Sequence, residues 1–132
     1  MSLSEYTILV VDSIPTDMLL LTILLKQMHF RVLTATDEAQ ALEQARQLNP
    51  DLILLDIYMP QNSGFKVAEI LQNQETTRHI PILYIVDMGE YPIFTPEGQL
   101  LSQALCIERP FDMRQLLRII FRRLKITQNP II

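Results

Sequence analysis

The chain alternates five short apolar runs with longer amphipathic stretches. The runs cover residues 7–11, 31–34, 52–55, 82–86 and 104–107. Each is too short for an independent helix, and three are almost wholly apolar, the pattern of parallel strands covered on both faces. The stretches between them carry helical spacing. The first predicted helix spans 15–28, with Pro15 in an opening turn where its missing N–H would be unpaired anyway. Its core side is expected to be Leu20, Leu21, Leu24 and Met28, which leaves Met18, Leu19 and Ile23 as surplus apolar surface. The second begins at Asp37, a capping residue with Gln40 three positions on, and ends at Asn49-Pro50. Its apolar face is Ala41, Leu42, Ala45 and Leu48. The third spans 64–73 and buries Val67, Ala68 and Leu71. A short fourth is expected to start at Thr95-Pro96, and a fifth to span 112–125. The segment 87–95, DMGEYPIFT, is neither periodic nor purely polar, and a loop this apolar is expected to cover something.

Strands alternating with helices predict an α/β fold, a doubly wound five-stranded parallel sheet with five helices on its two faces. The core unit is expected over residues 6–125, with 1–5 and 126–132 as short terminal extensions. At 132 residues, 48% hydrophobic and 20% charged, the chain has the composition of one globular domain. A net charge of -4 does not suit a nucleic-acid-binding surface. Its single cysteine, Cys106, fits a reducing compartment, and no apolar run is long enough to span a bilayer. The opening MSLSEYT has neither the basic nor the apolar region of a secretory signal. A cytoplasmic protein is therefore expected.

In such a sheet, ligands bind beyond the carboxyl ends of the strands, where the strand order reverses. The residues ending the apolar runs are Asp12-Ser13, Asp56, Val86-Asp87 and Arg109-Pro110. A strand-ending Asp often serves only as a cap or turn former. Two carboxylates ending neighbouring strands, however, repel unless a cation lies between them, and Mg²⁺ takes one or two carboxylates with waters and phosphate oxygens.

The ordered set VVDS-x-P, LILLDIYMPQNSGFKV and ERPF resembles the receiver domains of two-component signalling. The likeness runs from about residue 6 to 125, and its most specific part is Asp56 followed by Met59-Pro60 and then Gly64. The expected fold is accordingly flavodoxin-like, with strand order 2-1-3-4-5 placing Asp12 and Asp56 on adjacent strands. The resemblance implies that Asp56 is the phosphoacceptor for a partner histidine kinase or phosphotransfer protein. It implies that Asp12, Asp56 and the backbone carbonyl of Tyr58 hold Mg²⁺, that Arg109 pairs with a phosphoryl oxygen, and that the Arg109-Pro110 bond is cis. It points to a signalling module and not an enzyme.

Several positions depart from the family's pattern. Ser13 replaces a second acidic residue, which weakens the expected Mg²⁺ site. Val86 replaces the hydroxyl residue of the switch and cannot hydrogen-bond a phosphoryl oxygen. Arg109 replaces a lysine with a larger planar fork. Cys106 replaces the aromatic switch residue. Asp87 adds negative charge at the mouth and Tyr58 adds bulk, and compensation for Ser13 by Asp87 is not expected. A pseudo-receiver, working through protein contacts without phosphate control, is the alternative these departures favour.

The surplus apolar stripe of the first helix is expected to meet another chain or domain. The fourth and last helices are offered by the resemblance as a homodimer surface. Arg114, Arg118 and Arg122 on the last helix are read as a solvated face. A flavin carrier is excluded because DSIPTD has no glycine for a phosphate loop, and a nucleophile-elbow esterase because G-x-S-x-G is absent.

Overall fold

The structure is a computed structural model and describes residues 3–127. Residues 1, 2 and 128–132 of the expected terminal extensions lie outside the described residues. A short 3-10 turn, Leu3–Glu5, leads into five parallel strands: β1 (Thr7–Val11), β2 (Arg31–Ala35), β3 (Leu52–Asp56), β4 (Ile82–Asp87) and β5 (Cys106–Arg109). The strand order is β2-β1-β3-β4-β5, as the family resemblance implies. The two-residue period of a strand sorts its side chains between the two faces. Leu9, Val11, Ile53, Leu55, Ile82, Tyr84, Val86 and Cys106 form one apolar cluster. Ile8, Val10, Leu52, Leu54, Leu83, Ile85 and Ile107 belong to the other.

Four α-helices cover these clusters among the described residues: α1 (Pro15–Gln27), α2 (Glu38–Leu48), α3 (Ser63–Gln72) and α4 (Met113–Leu124). Helices α2 and α3 pack on the first cluster, α1 and α4 on the second. The Asp37 carboxylate caps α2 by accepting from the Gln40 N–H at 2.8 Å, and the Gln40 side chain accepts from the Thr36 N–H at 3.0 Å. This is the reciprocal cap read from the sequence, shifted by one residue on its return arm.

The expected fourth helix does not form. At Thr95-Pro96 the chain makes a tight turn, with the Gly98 N–H donating to the Thr95 carbonyl and Gly98 at φ +88°. Proline in second position and glycine in fourth suit a β-turn as well as a helix start, and a glycine so soon after the proline decides for the turn. Phe94 and Leu100 then pair as an antiparallel bridge, and the Tyr91 hydroxyl donates to the Leu101 carbonyl at 2.6 Å. The fourth helix that was expected to share a homodimer surface with the last is thus absent among the described residues.

The core side of α1 also needs correction. Leu21 and Leu25 are its fully buried residues, joined by Met18, Leu24 and Met28 packed against them. Leu20, expected in the core, is 44% exposed beside Leu19 and Ile23. The run of leucines is apolar on every side, so periodicity alone could not fix which stripe faces inward.

Candidate functional site

The carboxyl ends of β1 and β3 bring two aspartates together in the interior. Asp12, just beyond β1, and Asp56, the last residue of β3, are both 0% exposed. The Asp12 Oδ1 accepts from the Ile14 N–H at 2.9 Å, and the Asp56 Oδ1 accepts from the Tyr58 N–H at 2.8 Å. Each is a short local turn of the kind aspartate makes with the backbone two residues on. The remaining oxygen of each, Oδ2, is buried and has no hydrogen-bond partner. Burial raises the pKa of Asp12 to about 7, opposed by the Ile14 hydrogen bond and reinforced by the Asp56 charge.

Two buried carboxylates with unpartnered oxygens form a donor set for a hard dication, which takes one or two carboxylates and keeps waters. The donor chemistry fits Mg²⁺. Ser13 is half-buried at the edge of a cavity of about 280 Å³ lined by Asp37, Met59 and Lys66 among others.

Arg109, the last residue of β5, enters the same space with its side chain only 10% exposed. Its Nη2 lies 3.4 Å from Asp56 Oδ1 and its Nη1 lies 3.8 Å from Asp12 Oδ2. Two further carboxylates hold it more closely, Asp17 at 2.5 Å from Nη1 and Asp87 at 3.0 Å from Nε. Burial works against the guanidinium's charge. The Asp17 hydrogen bond and then the charges of Asp56, Asp87 and Asp12 outweigh it, so its pKa is raised. The Arg109 Cζ lies over the Tyr58 ring at 5.5 Å from its centroid, a cation–π distance, and the Tyr58 hydroxyl accepts from the Asp87 N–H at 3.0 Å. The Arg109-Pro110 bond is cis.

The structure brings Asp12, Asp56 and Arg109 together, and Tyr58 joins them through its N–H and its ring. Asp17 was not expected. It stands in the first turn of α1, and a carboxylate one turn after the Asp12 loop, facing back toward the strand ends, is the signal that could have found it. Asp87, expected only as repulsive charge at the mouth, bonds Arg109 directly. Val86 and Cys106 both lie in the first apolar cluster, Val86 one residue beyond Ile85, which stands opposite Asp56 in the β3–β4 register. Cys106 stands opposite Tyr84 in the β4–β5 register, and the Tyr84 ring packs at 6.2 Å from that of Phe65. Burial pushes the Cys106 thiol up to about 11.

Gly64 has a stronger reason to be glycine than opening a helix. A Cβ there would lie 2.3 Å from the backbone oxygen of Asp56 and 3.1 Å from the Ile57 Cα. The first turn of α3 therefore rests directly on the backbone that carries Asp56.

A parallel 2-1-3-4-5 sheet with paired aspartates at its switch point is a flavodoxin-like architecture with its candidate site where such sheets bind ligands. Residues 8–121 match the family model of the response regulator receiver domain, and the chain belongs to that family. Protein PilH of Pseudomonas aeruginosa is 37% identical over 113 residues, covering 86% of this chain and 93% of that protein. Response regulator PleD of Caulobacter vibrioides is 45% identical over 78 residues, 59% of this chain but 17% of PleD's length. Among solved structures, the receiver domain of sensor histidine kinase PA1611 from P. aeruginosa, with magnesium in its active-site cleft, superposes with a TM-score of 0.72. That match has 22% identity and covers 91% of this chain and 98% of that one.

Proposed function

We propose that residues 6–125 form a cytoplasmic receiver that accepts a phosphoryl group on Asp56 from a partner histidine kinase or phosphotransfer protein. The supporting observation is the state of the Asp56 carboxylate. Its Oδ1 is fixed by the Tyr58 N–H, its Oδ2 is unpartnered, and a guanidinium lies within 3.4 Å. In the transfer, an Asp56 oxygen attacks phosphorus, the bond from phosphorus to the donor imidazole nitrogen breaks, and the imidazole leaves. Arg109 takes a phosphoryl oxygen. Asp12, Asp56 and the Tyr58 carbonyl are the residues that would hold Mg²⁺, which supplies positive charge to offset that of the phosphoryl oxygens. Because Asp56 is wholly buried, Tyr58 or Arg109 has to shift for a donor to reach it.

The test is intact-mass spectrometry after incubation with phosphoramidate and Mg²⁺. A single adduct of about 80 Da, absent in Asp56→Asn, is expected. No adduct on a folded, Mg²⁺-loaded protein would favour the pseudo-receiver, a module acting through protein contacts alone. One observation supports that second reading. Val86 is packed in an apolar cluster and Cys106 carries no ring, so the parts that would sense a phosphoryl group are missing.

A further inference from the structure

The four carboxylates around Arg109 do not hold it equally. Asp17 and Asp87 lie at 2.5 and 3.0 Å, while Asp56 and Asp12 lie at 3.4 and 3.8 Å. Charge-assisted N–H···O bonds are made below about 3.0 Å and weaken steeply with distance. The guanidinium's short bonds are therefore spent on two residues outside the acidic pair. Its contacts with the pair are long and leave both Oδ2 atoms unpartnered. The planar fork makes this division of labour available, with Nε toward Asp87, Nη1 toward Asp17 and Nη2 toward Asp56. A lysine, a point charge on a flexible stem, could not face three carboxylates in fixed directions. The Tyr58 ring adds a cation–π contact at 5.5 Å to these bonds.

We propose that Asp17 and Asp87 are positioning residues that clamp Arg109 in the pocket as a resident counter-cation for Asp12 and Asp56. The acidic pair then keeps a positive partner with or without a divalent cation, while its two buried Oδ2 atoms keep their hydrogen-bonding capacity unspent. The clamp joins α1, β4 and β5, so it also fixes where the β5 end stands relative to the acceptor. Four carboxylates and one guanidinium leave a formal charge of −3, which still attracts a dication. The inference rests on the receiver reading for the identity of the pocket, but its test needs no phosphorylation.

The test follows the Arg109 Nε–H by ¹⁵N NMR in the full chain, first in EDTA and then in saturating MgCl₂, with the signal assigned by its loss in Arg109→Lys. The clamp predicts slow exchange with water relative to the exposed Arg114 and Arg118, unchanged by Mg²⁺. Asp87→Asn should speed that exchange roughly tenfold or more, because the Nε–H loses its own hydrogen bond to a charged group, and Asp17→Asn should speed it by a smaller factor, by freeing Nη1 and loosening the guanidinium. Undiminished protection in both variants, or release of the side chain by Mg²⁺ in the wild type, would overturn the proposal. A second readout is Mg²⁺ affinity by calorimetry, which should tighten several-fold in Arg109→Met once the resident cation is gone. Equal affinity would also count against it, and if Arg109→Met does not fold, the NMR arm still decides. Failure of the clamp shows as an unprotected Nε–H with Asp56 still labelled by phosphoramidate. Failure of the acceptor reading shows as no label with Nε–H still protected.

Discussion

Replacing Gly64 by alanine is the smallest change that reaches the acceptor strand. The added methyl would stand 2.3 Å from the Asp56 backbone oxygen and 3.1 Å from the Ile57 Cα, and both are main-chain atoms that cannot rotate away. An ordinary contact requires separation by roughly another ångström, so α3 has to move off the end of β3. Such overpacking costs about 1–3 kcal/mol. Alanine returns up to ~1 kcal/mol in helix propensity at a helical position. The net expectation is destabilisation by about 1–2 kcal/mol, since the clash is backbone against backbone and Val67, Ala68 and Leu71 are buried on the helix that must shift. Urea denaturation followed by circular dichroism reads this as a lower midpoint with an unchanged slope. The displacement should also disturb the Tyr58 N–H bond to Asp56, visible as a shift of the Tyr58 amide signal. A variant as stable as the wild type, or more so, would refute the argument that α3 rests on the acceptor backbone.

Three further outcomes follow from the same geometry. Ser13→Asp adds a carboxylate beside Asp12 and should raise Mg²⁺ affinity several-fold by calorimetry; equal affinity would mean that Ser13 does not mark a weakened site. Val86→Thr places a hydroxyl inside an apolar cluster and should cost about 1–2 kcal/mol in urea, while strengthening the response to beryllofluoride in NMR shift mapping. Cys106, with its thiol raised from 9.0 to about 11 chiefly by burial and then by Glu108, should resist iodoacetamide at pH 8 until the chain is unfolded. The folded state holds that proton more tightly than the unfolded one, so the thiol's contribution to stability is intact below about pH 9 and is lost as pH rises toward about 11. Cys106→Val should flatten that part of the pH–stability curve.

The parallel sheet was legible because its strands are short apolar runs separated by helix-like stretches, and its order because the motifs resemble the receiver family. The acceptor block was legible because Asp56, Met59-Pro60 and Gly64 stand at fixed spacing. What escaped was of two kinds. Thr95-Pro96 begins a helix or a turn with equal ease, and the outcome depended on Gly98 and on the bridge from Phe94 to Leu100, a pairing across the turn that local propensity does not weigh. Asp17 lies 92 residues from Arg109 in the chain, and in sequence it is one acidic residue in a helix's first turn. Its bond to the guanidinium exists only because the parallel topology carries the end of β5 over the start of α1. Asp87 was noticed as charge, but a charge near a mouth reads as repulsion until the direction of the Arg109 Nε is known.

Of the four aspartates gathered around Arg109, Asp56 is the one proposed to take the phosphoryl group. Reductive trapping tests it most directly. After incubation with phosphoramidate and Mg²⁺, borohydride reduces an acyl phosphate to the alcohol, which turns a phosphorylated aspartate into homoserine and leaves free carboxylates untouched. Tandem mass spectrometry of the peptide carrying LILLDIYMP should find homoserine at position 56. Homoserine at Asp12, Asp17 or Asp87 instead, or at none of them in protein shown to bind Mg²⁺, would contradict the account.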